Sequence, residues 1–92
     1  MELKILEESK KKIIVSIEGE DTTLCNVLKK ELWNDKHVVA AAYSLSHPLI
    51  GIPEIIVETD GKKKPRTALL EAAERLQDQN NKLKKEFSHV LK

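Results

Sequence analysis

The 92-residue chain carries 16 basic and 15 acidic side chains, a net charge of +1, and 40% of its residues are hydrophobic. This balance predicts one small domain with one core and argues against a general electrostatic attraction to nucleic acid or to an anionic membrane. A single cysteine excludes an internal disulfide, and no stretch approaches the roughly 20 apolar residues of a membrane span. We therefore expect a soluble, cytoplasmic chain with residues 1–92 in one domain.

The amino-terminal part of the sequence predicts two strands and a helix. Leu3–Leu6 and Ile13–Glu18 are the strands, and the second alternates apolar side chains at 13, 15 and 17 with residues of the opposite face. Gly19 ends this strand, and hydroxyl and carboxylate side chains at 21–23 can cap the helix that follows. The helix is expected over about 24–33, and its apolar side contains Leu24, Val27, Leu28 and Leu32.

Two further strands follow, separated by a segment that cannot be regular. Val38–Leu45 is the third strand, and its three consecutive alanines allow close packing above it. Ser46–Pro53 contains prolines at 48 and 53, which fix φ and remove hydrogen-bond donors. Ile55–Thr59 is a β-branched fourth strand, and Pro65 stands where proline is best tolerated, in the first turn of a helix.

The last 28 residues, 65–92, predict one unbroken helix with a heptad stripe. Such a helix would be roughly 40 Å long, whereas the preceding residues would form a globule only about 25–30 Å across. Part of the stripe is therefore expected to project and to be covered by a second chain. Glu71 and Arg75, spaced i to i+4, are expected to pair. The stripe consists of Leu69, Ala73, Leu76, Asn80, Leu83, Phe87 and Val90.

The order strand–strand–helix–strand–strand–helix predicts the α+β fold class. We expect a two-layer single domain in which an antiparallel sheet is covered by helices, with a long C-terminal helix. Asn80 falls at an apolar position of the stripe, where a polar residue fixes register and partner at some loss of stability.

Residues with chemical potential are few and scattered. The histidines at 37, 47 and 89 lie too far apart for a metal-ligand motif, and Cys25 has no neighbouring cysteine. Cys25 lies beside leucines of the first helix, so we expect a buried, inert thiol and no nucleophilic pair with His47. No glycine-rich phosphate loop is present. The sequence thus predicts no active site, no cofactor and no metal, and His47 with Pro48 is expected to shape a loop or to face a partner.

Two lysine runs keep nucleic-acid binding open as an alternative. Lys10–Lys12 and Lys62–Lys64 both lie at predicted turns, where lysine is usually solvated. The three aromatic residues do not alternate with basic ones as a base-stacking platform requires. The preferred interpretation is a domain that binds a different protein chain. The two alternatives are a self-associating scaffold protein and a small nucleic-acid-binding regulator.

Several short motifs resemble a known family. Gly19-Glu-Asp-Thr-Thr-Leu-Cys-Asn-Val-Leu, Tyr43-Ser-Leu-Ser-His-Pro-Leu and Pro65-x-x-Ala-Leu, together with Pro53 and Thr59, occur in the order and spacing of the small alpha-like subunits of multisubunit RNA polymerases. The resemblance covers essentially the whole chain and is strongest to the archaeal branch, the L subunits. Related families are the small eukaryotic subunit and the amino-terminal domain of the bacterial alpha subunit.

The resemblance implies a non-catalytic assembly subunit of DNA-directed RNA polymerase, a transcription enzyme whose active site lies in other chains. Such subunits pair with a larger alpha-like partner, the D polypeptide of the archaeal enzyme, and the heterodimer is the platform for the large catalytic subunits. Neither direct nucleic-acid readout nor membrane contact is implied. Carried onto this sequence, the two contact helices contribute Leu24, Asn26, Leu28, Leu32, Leu76, Asn80, Leu83 and Phe87.

Overall fold

A computed structural model of the chain describes residues 2–19, 22–45, 52–76 and 82–91. Four strands and three helices occupy these ranges. In chain order they are β1 (Glu2–Glu8), β2 (Lys12–Glu18), α1 (Thr22–Leu32), β3 (Val38–Leu45), β4 (Pro53–Thr59), α2 (Pro65–Leu76) and α3 (Lys82–Leu91).

The strands form one antiparallel sheet in the order β1-β2-β4-β3. Ile13 pairs with Val57 across the two central strands, and the neighbouring pair Ile14 and Ile56 points to the opposite face. The side chains at 53, 55, 57 and 59 of β4 are buried, and those between them are half-buried. This alternation gives the sheet one face packed on a core and one face without a covering element among the described residues. The predicted two-layer α+β fold with an antiparallel sheet is confirmed.

All three helices lie on the core face of the sheet. α1 contacts β3 and β4, α2 contacts β4 and β2, and α3 contacts β1. The helices therefore follow the strand order across the sheet, each covering a different part of it. The largest side chains without exposed surface in the core between the two layers are Phe87, Ile13, Ile17, Leu28, Leu32, Ile55 and Leu69.

The C-terminal segment is not the single projecting helix predicted from the heptad stripe. α2 and α3 lie against each other, and Nη1 of Arg66 at the start of α2 is 3.5 Å from the carbonyl oxygen of Leu91 at the end of α3. The two helices therefore run antiparallel, and α3 returns to the sheet. The physical reason is that β1 offers apolar cover which α1 and α2 leave free, and burying Phe87 and Leu91 there is more favourable than exposing them.

Element boundaries differ from the predicted ones by a few residues. β4 begins at Pro53, whereas the sequence predicts this residue in the irregular segment. Proline is tolerated at the first position of a strand because the ladder does not yet require its amide hydrogen. Pro65 begins α2 as predicted. The rest of the expected irregular segment, residues 46–51, lies outside the described residues.

Candidate partner-binding face

α1 presents one buried side to the sheet and one exposed side. Leu28 and Leu32, both expected at a partner contact, have no exposed surface and pack in the chain's own core. Leu24 and Asn26 are half-buried, so part of each side chain reaches the surface. Val27 is 41% exposed and lies on the same helix as these two residues. The outer surface of α1 is therefore partly apolar.

Asn26 is fixed by the neighbouring strand. Its amide nitrogen donates a hydrogen bond to the hydroxyl oxygen of Tyr43 on β3, 3.4 Å away. The ammonium group of Lys29 lies 5.4 Å from the centre of the Tyr43 ring, a cation–π distance. These contacts join the outer side of α1 to β3 at the edge of the sheet.

A charged clamp joins α1 to α2. Nε of Arg75 donates to Oε1 of Glu31 at 2.6 Å, and Nη2 donates to the Glu31 backbone oxygen at 3.1 Å. The predicted pairing of Arg75 with Glu71 is therefore wrong, because the guanidinium group reaches both the carboxylate and the backbone carbonyl oxygen of Glu31. Leu76, beside this clamp, is half-buried against the core.

The predicted interface residues that follow α2 are not placed at an exposed surface where the structure describes them. Phe87 has no exposed surface and belongs to the core that α3 forms with α2 and β1. Asn80 lies outside the described residues, and so does the side chain of Leu83. In this conformation Phe87 therefore supports the helical layer from within and offers no surface to a partner.

A polar cluster ties the end of α1 to the turn before α2. Nζ of Lys63 lies 2.8 Å from Oδ2 of Asp35 and 2.5 Å from Oε1 of Glu71. Oδ1 of Asp35 accepts a hydrogen bond from the backbone amide of His37 at 2.9 Å. Thr59, almost fully buried, donates to the Lys63 carbonyl oxygen at 2.7 Å. The expectation that the whole lysine run is solvated is therefore wrong for Lys63.

The ion pairs of this cluster shift the pKa values of their members. Burial works to raise the pKa of Asp35, but the hydrogen bonds from Lys63 and the His37 amide outweigh it and lower that pKa. The hydrogen bond from Lys63 to Asp35, and to a smaller extent the one to Glu71, raises the pKa of Lys63. Asp35 and Lys63 are thus charged at neutral pH, which makes this cluster a structural tie.

The remaining sequence candidates show no catalytic arrangement among the described residues. Cys25 is fully buried in the core, as predicted. No group of three or more potential metal ligands occurs in the described part of the chain. His37 is paired with Asp60 at 3.0 Å, whereas His47 and Pro48 lie outside the described residues. None of the described helices is long and apolar enough to cross a membrane.

The structure therefore defines a small α+β domain whose helical layer carries a partly apolar outer face, the arrangement of an interaction module. A model of the family described as the RNA polymerase Rpb3/Rpb11 dimerisation domain matches residues 12–86. The chain belongs to this family.

Individual relatives support this assignment over the full length of the chain. The chain is 38% identical over 92 residues to DNA-directed RNA polymerase subunit Rpo11 of Methanocella arvoryzae, covering 100% of this chain and 99% of the relative. It is 42% identical over 78 residues to Rpo11 of Nanoarchaeum equitans, covering 85% and 81%. The crystal structure of DNA-directed RNA polymerase subunit L from Thermoplasma acidophilum matches with a TM-score of 0.73 and 30% identity, covering 95% of this chain and 85% of that one.

Sequence reasoning missed Val27 as a site residue and did not find the Asp35–Lys63 pair. Val27 had a usable signal, since it lies three residues after Leu24 on the apolar side of α1. The Asp35–Lys63 pair had none, because nothing in a run of three lysines marks the middle one as the residue that meets a carboxylate 28 positions away.

Proposed function

We propose that this chain is a non-catalytic assembly subunit of an archaeal-type DNA-directed RNA polymerase. It pairs with the larger alpha-like subunit, the D polypeptide of the archaeal enzyme, and the heterodimer is the platform on which the large catalytic subunits assemble for transcription. The observation that carries the proposal is the match of a dimerisation-domain family over residues 12–86, which include the described residues from β2 into α3. The complex acts in the cytoplasm, and this chain contributes neither an active site nor a cofactor to it.

The outer face of the helical layer is the proposed pairing surface. Leu24, Asn26 and Leu76 contribute their exposed parts, and Val27 is added because it offers the largest apolar exposure on α1. Burying such side chains against a partner removes apolar surface from water. Leu28, Leu32 and Phe87 act by holding the helices in place from beneath.

Two further pairs of residues enter the proposal from the sequence alone. Asn80 and Leu83 remain proposed contacts of the second helical segment, with Asn80 selecting the partner over self-pairing. His47 and Pro48 remain a proposed partner-facing loop. Their contributions are testable one substitution at a time in the same pairing assay.

The test is co-expression of the chain with the larger alpha-like subunit, followed by light scattering on the purified complex. We expect a 1:1 heterodimer. Val27→Asp should weaken pairing by about 2 kcal/mol or more, because it places a charge in a desolvated contact. Val39→Asp is the matched control, since Val39 is also an exposed valine, at 55%, but lies on the edge strand β3 away from the helical layer.

Circular dichroism should show that both variants keep the wild-type fold, because both side chains are exposed. Pairing that is equally strong in the wild type and in Val27→Asp would refute the proposed face. A tight homodimer that ignores the larger subunit would refute the proposed function and favour a self-associating scaffold.

A further inference from the structure

Two lysine-rich turns that are distant in sequence lie side by side at one end of the sheet. The antiparallel pairing of β2 and β4 sets Lys12 opposite Glu58, so the turn before β2 meets the turn after β4. The amide of Thr59 donates to the carbonyl oxygen of Lys11 at 2.8 Å. A Cβ atom on Gly61 would lie 3.0 Å from Cε of Lys11, so the lysine stem packs directly on the second turn. The two turns form one surface, here named the basic end, with Lys10, Lys11, Lys62 and Lys64.

The carboxylates nearest the basic end already have partners. Glu8 receives Nε and Nη2 of Arg66 in a two-pronged ion pair with both distances at 2.6 Å. Asp60 accepts from the backbone amide of Lys62 at 2.9 Å and pairs with His37. In the described ranges, no salt bridge involves the four lysine ammonium groups of the basic end, and all four residues are exposed. Their charge is therefore available to a partner.

A cleft of about 460 Å³ opens between the first turn and the start of α2. The residues that line it are Glu8, Ser9, Lys10, Lys64, Pro65 and Arg66. Arg66 is already paired with Glu8, so the ammonium groups of Lys10 and Lys64 are the donors left to recognise a carboxylate. The surface is therefore concave as well as positive, and it can receive side chains that project from another protein.

We propose that the basic end is a second docking surface, which receives a segment rich in aspartate and glutamate on one of the large catalytic subunits. This inference rests on the proposed function. Leu76, which belongs to the proposed pairing surface, is the last residue of α2. The cleft lies at the first residues of that 12-residue helix, roughly 17 Å away. The distance leaves the cleft accessible when the helical face is covered by the alpha-like partner.

Protein carboxylates fit the basic end better than a nucleic-acid backbone. Glu8 lines the cleft and Asp60 lies in the second turn, so the lysine side chains do not form the continuous positive track that a phosphate backbone follows. None of the residues that line the cleft is aromatic, so it offers no stacking platform for bases. The net charge of +1 also provides little long-range attraction for a polyanion.

The test compares charge reversals in the heterodimer of this chain with the larger alpha-like subunit. The double variant Lys10→Glu/Lys64→Glu reverses two of the positive charges that line the cleft. Lys4→Glu with Lys36→Glu is the matched control, because both residues are exposed and lie outside the basic end. Binding of the purified large catalytic subunits is then measured between low and high salt. We expect the Lys10/Lys64 variant to form the heterodimer normally but to bind the large subunits roughly tenfold more weakly, with a shallower salt dependence.

Each alternative outcome has a distinct meaning. Equal binding by the variant, the control and the wild type would overturn the docking surface while leaving the heterodimer intact. Normal recruitment of the large subunits with a selective loss of binding to duplex DNA would assign the basic end to nucleic acid and overturn the carboxylate proposal. If the unsubstituted chain fails to enter the heterodimer, the proposed function fails first, and the docking inference falls with it.

Discussion

Asp35 lies just after the end of α1 and is held by groups from two different turns. Its side chain is only 3% exposed, and it meets the ammonium group of Lys63 at 2.8 Å and the amide of His37 at 2.9 Å. Lys63 in turn reaches Glu71 on α2. A buried carboxylate without these partners would carry a large desolvation cost. The pair therefore links the end of α1 to the start of α2 by a contact that is costly to break.

Asp35→Asn is expected to lower the free energy of unfolding by about 2–4 kcal/mol at pH 7, because it leaves Lys63 with one carboxylate partner and weakens the turn. The folded-state pKa of Asp35 is lowered. Its contribution is therefore fully present above the ordinary aspartate pKa of about 3.9 and is lost as the pH falls through the lower folded-state value. Urea unfolding of both proteins between pH 7 and pH 2 measures this difference.

Asp60→Asn is the control, since Asp60 belongs to the neighbouring turn but is exposed. Its effect should be smaller than that of Asp35→Asn. If the stability gap between wild type and Asp35→Asn stayed constant down to pH 2, the ion pair would not be the source of the effect.

At the scale of elements, the C-terminal residues show what a periodic pattern can and cannot predict. Spacings of three and four identified the apolar side of both α2 and α3, and Leu69 and Phe87 are indeed fully buried. The pattern does not state what covers that side. The apolar stripe can be buried either against a neighbouring chain or against β1 of the same chain. The periodic pattern is the same in both cases, so it does not distinguish them.

The same ambiguity affected the site residues on α1. Leu24, Val27, Leu28 and Leu32 share one periodic pattern, yet two of them are fully buried and Val27 is exposed. Their exposure depends on the elements packed against α1, which include α2, β3 and β4, and the periodic pattern does not specify these neighbours. The strands were easier to predict, because alternation along a strand directly distinguishes the face toward the core from the opposite face.

Phe87→Ala is expected to destabilise the isolated chain by about 3–5 kcal/mol, since it removes a fully buried aromatic ring from the contact of α3 with α2 and β1. Lys85→Ala on the exposed side of the same helix should leave stability nearly unchanged. Thermal unfolding of the two variants and the wild type, monitored by circular dichroism, compares their stabilities. A Phe87→Ala variant as stable as wild type would show that α3 does not pack on its own domain in solution.

At the scale of the whole molecule, the return of α3 makes the chain compact. The radius of gyration of the Cα atoms is 12.0 Å. A folded chain of this length is expected at roughly 12 Å. A helix of roughly 40 Å would by itself exceed the longest dimension of the molecule, 35 Å. Compactness therefore distinguishes the returning α3 from the projecting helix that the heptad stripe predicted.

Small-angle X-ray scattering of the isolated chain tests this shape directly. We expect a radius of gyration close to the value for the Cα atoms, constant over a concentration series, because the core already covers the apolar side of α3. A compact homodimer would instead give roughly 16 Å by the same scaling. The contact between Arg66 and Leu91 would be contradicted by a larger radius of gyration at every concentration, provided that light scattering still gave the mass of a monomer. Such a result would indicate an extended C-terminal helix. The Phe87→Ala variant provides the internal comparison, since loss of α3 packing should raise the radius of gyration at unchanged mass.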